Sequence, residues 1–277
     1  MRKRTSLILL CALLLLASCN NYNQLLKTSD YGYKYEAAKE YFADGQYNRA
    51  SQLLQTMITT MKGAENGQEA LYLFGLCNYY SGNYETATSI FRKYYQTYTK
   101  GIYPEDAHFH AALALMKDAP EARLDQTPTY EAVTEFQNFI ELYPYSTKRE
   151  QAMAYIFELQ DLLVEKEYLS AKLYYDLGDY FGNCSNDGGS NYQACVITAE
   201  NAIRDFPYTK LREDFAILIL KAKFELAARS VEEKKVERYH NAIDEYYGFT
   251  NEYPESKYMK EAEQLFKKAS KYTTTEE

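Results

Sequence analysis

The sequence is poor in the residues on which most catalytic and metal sites depend. Its 277 residues include three histidines, five cysteines and no tryptophan. His108 and His110 are two positions apart, so they do not share a helix face, and no cysteine or acidic ligands surround them at the spacing of a zinc site. GxSxG, HExxH, P-loop and GxGxxG motifs are all missing. We therefore expect a protein that is not an enzyme and that binds no metal and no cofactor.

Basic residues are also in short supply. The chain has 31 lysines and arginines against 39 aspartates and glutamates, a net charge of −8. Proteins that bind nucleic acid neutralise phosphates with clustered lysine and arginine. The acidic balance therefore argues against nucleic acid as a partner.

No apolar run is long enough to span a membrane. The longest comprises residues 7–17 and follows three basic residues, whereas a spanning helix needs about 20 apolar residues. A basic start, a short apolar core and small residues are typical of a secretory signal. Leu16-Ala17-Ser18-Cys19 further resembles the lipobox of bacterial lipoproteins, although an ordinary signal peptide with an incidental cysteine is the alternative. We predict a signal peptide over residues 1–18 and a covalent lipid on Cys19.

The predicted mature chain has 28 basic and 39 acidic residues, a net charge of −11. Several acyl chains on Cys19 would anchor it stably, and no aspartate follows Cys19 as in the inner-membrane retention signal. We therefore expect an outer-membrane lipoprotein that faces the periplasm, with residues 19–30 as a polar tether.

Three cysteines remain after lipidation of Cys19, and an odd number does not build a disulfide framework. Cys77 and Cys195 are expected to be small apolar residues on packed helix faces. Whether Cys184 pairs with Cys195 in an oxidising compartment is left open.

A helical apolar period runs through the mature chain, and no stretch shows sustained strand alternation. Within it, five copies of one ladder recur, with starting points 37 to 63 residues apart. An aromatic or turn residue is followed at +3 by a small residue, at +7 and +10 by apolar ones and at +14 by a helix-ending residue. The copies are Tyr47, Ala50, Leu54, Met57, Met61; Tyr84, Ala87, Phe91, Tyr94, Tyr98; Thr129, Ala132, Phe136, Phe139, Tyr143; Tyr192, Cys195, Ala199, Ala202, Phe206; and Tyr239, Ala242, Tyr246, Phe249, Tyr253.

A partner helix repeats with the ladder. Residues 37–47 (AAKEYFADGQY), 74–84 (FGLCNYYSGNY) and 170–180 (SAKLYYDLGDY) share small residues, aromatics and a late glycine. The small residue lets the second helix approach closely, and the glycine supplies the turn. These are the positions of the tetratricopeptide repeat. The prediction is an all-α fold, an α-solenoid of about five tetratricopeptide-like helix hairpins over residues 31–272.

Some segments depart from the regular repeat. Residues 117–128 and 182–191 are read as insertions that lengthen two turns, and their role is not evident from the sequence. Residues 146–181 form either one long helix or two consecutive ones. A polar last helix, about 255–271, is expected to cap the array, and residues 273–277 to be a flexible tail.

A helical-repeat array offers a surface for binding other proteins. In the tetratricopeptide frame, the groove-facing positions of the first two hairpins are aromatic or apolar apart from one lysine. Such a surface suits an extended peptide rich in aromatic residues, with the lysine available to a carboxylate; alternatively, some of these side chains only pack between repeats. The positions are Tyr35, Lys39, Phe42, Tyr72, Leu76 and Tyr79.

A lipobox, a short polar tether and five repeats, three of which end in YP-x-S or FP-x-T, resemble the BamD family. That family supplies the lipoprotein subunit of the β-barrel assembly machinery. The resemblance implies a scaffold whose later repeats bind the periplasmic domains of a BamA-like barrel protein. It also implies that the early repeats, near the six groove positions, receive the aromatic-ending signal of unfolded outer-membrane proteins. The two insertions depart from the family pattern and leave the partner residues in the later repeats undefined.

Two other functions fit the same fold. One is a different periplasmic tetratricopeptide lipoprotein that coordinates envelope or peptidoglycan machinery. The other is a glycan-binding lipoprotein of the SusD type, although those chains are usually much longer.

Overall fold

The computed structural model describes residues 22–64, 66–178 and 190–273, and within them all regular structure is helical, as predicted. The predicted signal peptide, Cys19, Cys184 and residues 274–277 lie outside these ranges. No described helix is both long and apolar enough to cross a membrane. The helices are α1 (residues 22–27), α2 (Tyr31–Ala43), α3 (Tyr47–Met57), α4 (Gly67–Tyr80), α5 (Tyr84–Thr97), α6 (Pro104–Asp118), α7 (Thr127–Leu142), α8 (Arg149–Leu177), α9 (Asn191–Asp205), α10 (Arg212–Ala228), α11 (Glu232–Glu252) and α12 (Met259–Thr273).

Successive helices pack as hairpins, which confirms the predicted all-α, tetratricopeptide-like α-solenoid. In each pair the first helix contacts the next one along the chain: α2 with α3, α4 with α5, α6 with α7 and α10 with α11. Helices α8 and α9 share one apolar core. The chain divides into two compact units. The first contains the described residues up to Pro120 together with Thr127–Ile156, and the second contains Glu121–Gln126 together with the described residues from Phe157 on.

The ladder positions form the core of each hairpin. The small residues at +3, which are Ala50, Ala87, Ala132, Cys195 and Ala242, are at most 2% exposed. A small side chain here leaves room for the neighbouring helix, and the larger members of each ladder fill the remaining space at high density. The ladder read from the sequence is therefore confirmed as the packing face.

Glycines act at the two places where the repeat requires them. Gly45, Gly82 and Gly178 end the first helix of their hairpins with φ of 73°, 77° and 51°, a left-handed conformation that glycine adopts without strain. Gly75 lies inside α4, where an added Cβ would stand 2.5 Å from the Phe91 ring. The close approach of the two helices at this point thus depends on the missing side chain.

Several expected boundaries need correction. Helix α7 begins at Thr127, so the insertion expected over residues 117–128 reduces to a loop of residues 119–126 after α6. The stretch 146–181 contains one helix of 29 residues, α8, rather than two. The last helix starts at Met259 and not near residue 255. Of the second insertion, residues 182–189 lie outside the described residues, and Ser190 already caps α9 through its bond to Gln193 N.

The segment expected to be a polar tether is partly folded. Residues 22–27 form α1, and the side chain of Tyr22 is 9% exposed, with its hydroxyl shared between the Arg49 carbonyl oxygen (2.9 Å) and Gln52 Oε1 (3.0 Å). Leu25 and Leu26 pack against the first core. Apolar residues three and four positions apart form one helix face, so α1 already belongs to the packed core, ahead of the start predicted at residue 31.

Cys77 and Cys195 are free, buried thiols. Burial raises the pKa of each to about 12. A thiol with that pKa is not a nucleophile at neutral pH, so both act as the packed apolar residues that the sequence predicts.

A polar clamp links the turn after α7 to the start of α6, the first helix of the same hairpin. Ser146 Oγ accepts a hydrogen bond from Lys148 N (3.0 Å) and donates one to Glu105 Oε1 (2.6 Å). Lys148 Nζ lies 2.6 Å from Asp106 Oδ1. The clamp therefore closes the turn and joins the start of α6 to the start of α8.

The second unit repeats this clamp at the end of the fifth hairpin. Ser256 Oγ accepts from Tyr258 N and donates to Glu213, and Lys257 Nζ pairs with Asp214 at 3.2 Å. The segment YPESK in the second unit thus forms the same set of contacts as YPYSTK in the first.

Candidate functional site

The six predicted groove residues occupy two helices of the first unit. Each helix contributes three residues at positions i, i+4 and i+7, which lie on one face of a helix with 3.6 residues per turn. Helix α2 carries Tyr35, Lys39 and Phe42, and α4 carries Tyr72, Leu76 and Tyr79. The two helices come together near their C-terminal ends, where the Phe42 ring centroid is 6.0 Å from that of Tyr80, the residue after Tyr79.

Tyr35 is not a surface residue, because only 1% of it is exposed. Burial, and next the carboxylate of Glu69, raise the pKa of its hydroxyl. Lys39 lies above it, with Nζ 4.9 Å from the Tyr35 ring centroid and 2.8 Å from Glu36 Oε1. Tyr35 therefore supports the Lys39 ammonium, which remains 40% exposed, instead of offering a contact surface of its own.

Tyr72 is held by the N-cap residue of α6 and by a side chain of that helix. Its ring stacks on Tyr103 with centroids 4.6 Å apart, and its hydroxyl is 3.3 Å from His110 Nδ1. Burial lowers the pKa of His110, so the imidazole is neutral at pH 7, and its Nδ1 is 2.8 Å from the Asp106 carbonyl oxygen. Leu76 is half-buried in the same cluster. This part of the surface is consequently rigid and aromatic.

Tyr79 and Phe42 belong to a row of aromatic rings at the end of the first two hairpins. Phe42 contacts Tyr47 at 5.3 Å, and Tyr47 stacks on Tyr80 at 5.1 Å. Tyr79 continues the row to Tyr84 at 5.7 Å. Aromatic pairs at these distances are attractive beyond the area that they bury, so the rings are pre-arranged before any partner arrives.

These contacts define what the first unit can do chemically. Five predicted positions, those other than Tyr35, retain exposed area beside one ammonium group. Aromatic faces and a lysine bind apolar and aromatic side chains together with a carboxylate. The analysis of the sequence missed Tyr103 and His110, which complete this surface. The available signal was their place at the start of α6 and within it, in the first helix of the next hairpin.

A buried ionic cluster, centred on Glu135, was not predicted from the sequence. Glu135 is 5% exposed. It accepts hydrogen bonds from Arg92 Nη2 (2.7 Å) and Tyr95 Oη (2.7 Å) and lies 3.3 Å from His108 Nε2. Burial alone would raise the pKa of Glu135, but these three partners outweigh it and hold the pKa at about 2. The cluster joins α5, α6 and α7 by charge inside the first unit.

The second unit has its own apolar cleft, of about 230 Å³. Phe157 and Val164 of α8 form one wall, and the turn Phe206-Pro207-Tyr208 forms the other. Phe157 and Tyr208 are 62% and 97% exposed. Large aromatic side chains with this much free area are typical of protein contact sites.

Among residues 22–64, 66–178 and 190–273, no three histidine, cysteine or acidic side chains are grouped to hold a metal ion. Each unit does present large aromatic side chains with exposed area, Tyr80 in the first and Phe157 and Tyr208 in the second.

A comparison with protein families matches residues 30–186 to YfiO, described as an outer membrane lipoprotein. The matched stretch covers more than half of the chain and begins at the residue that caps α2. A search of curated proteins found no match.

Proposed function

Because the chain belongs to the YfiO family of outer membrane lipoproteins, we propose that it is a lipid-anchored periplasmic scaffold of the machinery that assembles β-barrel proteins. The match over residues 30–186 is the observation that carries this proposal. In this role the protein binds other proteins and catalyses no reaction itself. The raised pKa values of Cys77 and Cys195 agree with a chain that does no thiol chemistry.

The anchor is a lipid on the thiol of Cys19. Residues 16–19 (LASC) have the small side chains and the cysteine that lipoprotein processing requires, and no described helix replaces the lipid as a membrane span. Several acyl chains, each contributing about 0.8 kcal/mol per buried CH₂, hold a protein of this size permanently at a membrane. The anchored chain faces the periplasm.

The first unit receives unfolded outer-membrane proteins. Its surface combines the half-buried rings of Phe42, Tyr72 and Tyr79 with the exposed ammonium of Lys39. The hydrogen bond from Lys39 to Glu36 raises the pKa of the amine, so it is charged at neutral pH. An extended segment that ends in an aromatic residue and a carboxylate is complementary to both features.

The second unit contacts the periplasmic domains of a BamA-like barrel protein. The cleft between Phe157 and the turn at Tyr208 supports this assignment, because it exposes two aromatic anchors beside an apolar pocket. Such anchors contribute most of the binding energy in typical protein interfaces.

Depletion of the protein in its native cell tests the role. Loss of a barrel-assembly scaffold lowers the amounts of many outer-membrane barrels together and stalls growth. A glycan-capturing lipoprotein would instead affect growth on one carbon source, and a peptidoglycan coordinator would leave barrel levels intact. A pull-down from detergent-solubilised membranes is expected to recover a barrel protein with repeated periplasmic domains. Unchanged barrel levels after depletion would remove the proposal.

A further inference from the structure

The described chain starts at a defined place on the first hairpin. The Tyr22 ring packs edge-on against Tyr41, near the end of α2, with centroids 5.5 Å apart. At the other end of α1, Lys34 Nζ donates to the Leu26 carbonyl oxygen (3.1 Å), near the start of α2. Helix α1 therefore runs antiparallel to α2 and brings Tyr22 to the end of the hairpin where α2 turns into α3.

Tyr22 is firmly held at this end. Besides its two hydrogen bonds, its ring lies 5.3 Å from the Arg49 guanidinium carbon, which also lies 5.7 Å from the Tyr41 ring centroid. Lys34 is itself 2% exposed and bonds Thr56 Oγ1 at 3.1 Å. Contacts at both ends thus attach α1 to the body of the hairpin.

This attachment leaves a very short link to the proposed lipid. Three residue steps separate Cys19 from Tyr22, and an extended chain covers at most about 3.6 Å per residue, or about 11 Å in all. The headgroup layer of a bilayer is about 5–7 Å thick on each side of the hydrocarbon core. With its acyl chains inserted, Cys19 therefore holds the turn end of the first hairpin at the headgroups.

The surface at that end suits a lipid headgroup layer. Residues 41–49 carry one acidic and one basic charge, and residues 78–84 carry none, in a chain whose net charge is −8. Here the rings of Phe42, Tyr47 and Tyr80 contact one another, and Tyr80 is 53% exposed. Tyrosine is enriched at membrane interfaces, because its ring is apolar and its hydroxyl is polar.

We propose that the turn surface, formed by Tyr47 and Tyr80, lies directly against the lipid headgroups as a second membrane contact beside the acylated Cys19. The inference rests on the proposed acylation. With this contact, the first hairpin has a fixed orientation to the bilayer, whereas a protein held only by a flexible tether would not.

The absence of tryptophan from the chain makes a direct test possible. Tyr80→Trp introduces a single fluorophore into the turn surface of the full acylated protein. As a matched control, Tyr145→Trp places one at a 98% exposed tyrosine of the same unit, in the turn after α7 at the opposite end of the helices. Both proteins are reconstituted into vesicles of phosphatidylethanolamine and phosphatidylglycerol that contain headgroup-spin-labelled phosphatidylcholine.

The expected result is that Tyr80→Trp loses most of its emission to the spin label, whereas Tyr145→Trp keeps its emission. Equal quenching of both variants, or quenching of neither, in protein whose Cys19 is shown by mass spectrometry to be acylated, would overturn the turn-surface contact and leave the proposed assembly role intact. An unmodified Cys19 would overturn the contact and the anchor together, while the depletion experiment judges the assembly role separately.

A flexible Gly-Ser insertion between Asn21 and Tyr22 tests the short link without touching the hairpin. In the Tyr80→Trp background we expect quenching to fall to the level of Tyr145→Trp, with acylation and sedimentation with vesicles unchanged. Full quenching despite the insertion would contradict the argument from the length of the link.

Discussion

At the scale of single residues, the missing side chain of Gly75 determines how closely α4 and α5 approach. An alanine Cβ would meet the Phe91 ring at 2.5 Å, and overpacking of a filled core costs about 1–3 kcal/mol. We expect Gly75→Ala to lower the free energy of unfolding by that amount, measured by urea denaturation monitored by circular dichroism.

Gly32→Ala is the matched control for this prediction. Gly32 lies in the first turn of α2, in the same unit, and its added Cβ would meet its nearest neighbour, Asp30 Oδ1, at an ordinary 3.5 Å. Because alanine favours the helix over glycine by up to about 1 kcal/mol, this variant should be as stable as the parent or more so. Equal destabilisation by both substitutions would show that Phe91 is not the cause.

The buried carboxylate of Glu135 makes a second prediction at this scale. Its pKa of about 2 in the folded protein lies below the usual 4.5. The ionised carboxylate therefore stabilises the fold fully above about pH 5, and this stabilisation is lost as the pH falls toward 2. The shift in pKa corresponds to about 3 kcal/mol in the free energy of unfolding. Glu135→Gln should therefore be less stable than the parent at pH 7 and approach it as the pH falls, in urea titrations at several pH values.

Glu131→Gln provides the comparison, because Glu131 is on the same helix, is 53% exposed and lies 4.0 Å from the same Arg92. Exposed ion pairs contribute at most about 1 kcal/mol, so this variant should follow the parent at every pH. If the two variants had the same pH profile, the assignment of the effect to the buried cluster would be wrong.

Single residues also show which features the sequence predicts and which it does not. The small residues of the ladder, such as Ala87 and Cys195, were predicted because their spacing is constant in every copy. The burial of Glu135 was not, because its partners Arg92 and Tyr95 are 43 and 40 residues away and come from another hairpin. Tyr35 shows the same limit: its helix face was predicted, but not the depth at which it is buried.

At the scale of the helices, the Ser-centred clamp stabilises the turn between α7 and α8. Ser146→Ala removes the acceptor for Lys148 N and the donor to Glu105 together. Each of these two hydrogen bonds contributes about 0.5–1.5 kcal/mol to stability, and the Glu105 side chain is 39% exposed, so water can replace part of what Glu105 loses. We expect a decrease of about 1–2 kcal/mol in the unfolding free energy, measured by urea denaturation.

Thr134→Ala tests whether the clamp is special. Thr134 Oγ1 also donates a hydrogen bond, to the Tyr130 carbonyl oxygen at 2.9 Å, but within an exposed stretch of α7. Alanine is a better helix former than threonine, which offsets the loss of this bond. Thr134→Ala should therefore change the free energy of unfolding by less than about 0.5 kcal/mol. An effect as large as that of Ser146→Ala would indicate a general loss of hydroxyls instead of a clamp.

The helices themselves were largely predictable, because a repeated ladder provides five readings of the same pattern. Helix α1 was not predicted, since it spans residues 22–27 and has only three apolar residues in a polar stretch. The start of α11 at Glu232, seven residues before the ladder begins at Tyr239, was hidden for a similar reason. Its first two turns, residues 232–238, are mostly charged and carry no repeat signal.

At the scale of the whole molecule, the order of hairpins and the family were accessible from the sequence, whereas the division into two compact units was not. That division falls within α8, at Ile156 and Phe157, and a continuous helix shows no boundary in its apolar period. The candidate surfaces are affected in the same way, because the cleft at Phe157 depends on a turn about 50 residues further along the chain.

If each unit has its own partner, variants should separate the two binding activities. Lys39→Glu reverses an exposed charge in the first unit and should weaken cross-linking to unfolded outer-membrane proteins about tenfold, the effect of 1.4 kcal/mol. It should leave recovery of the barrel protein unchanged. Lys267→Glu makes the same change at a 74% exposed lysine of the second unit and should leave both activities intact.

Tyr208→Ala should have the opposite effect, because it removes a 97% exposed ring from the cleft of the second unit. Truncation of an aromatic anchor at an interface typically costs 2 kcal/mol or more, so recovery of the barrel protein in pull-downs should fall while substrate cross-linking persists. Tyr145→Ala removes an equally exposed ring from the first unit and should not affect recovery of the barrel protein. If either Lys39→Glu or Tyr208→Ala lost both substrate cross-linking and recovery of the barrel protein, with helix content unchanged, the two binding activities would not belong to separate units.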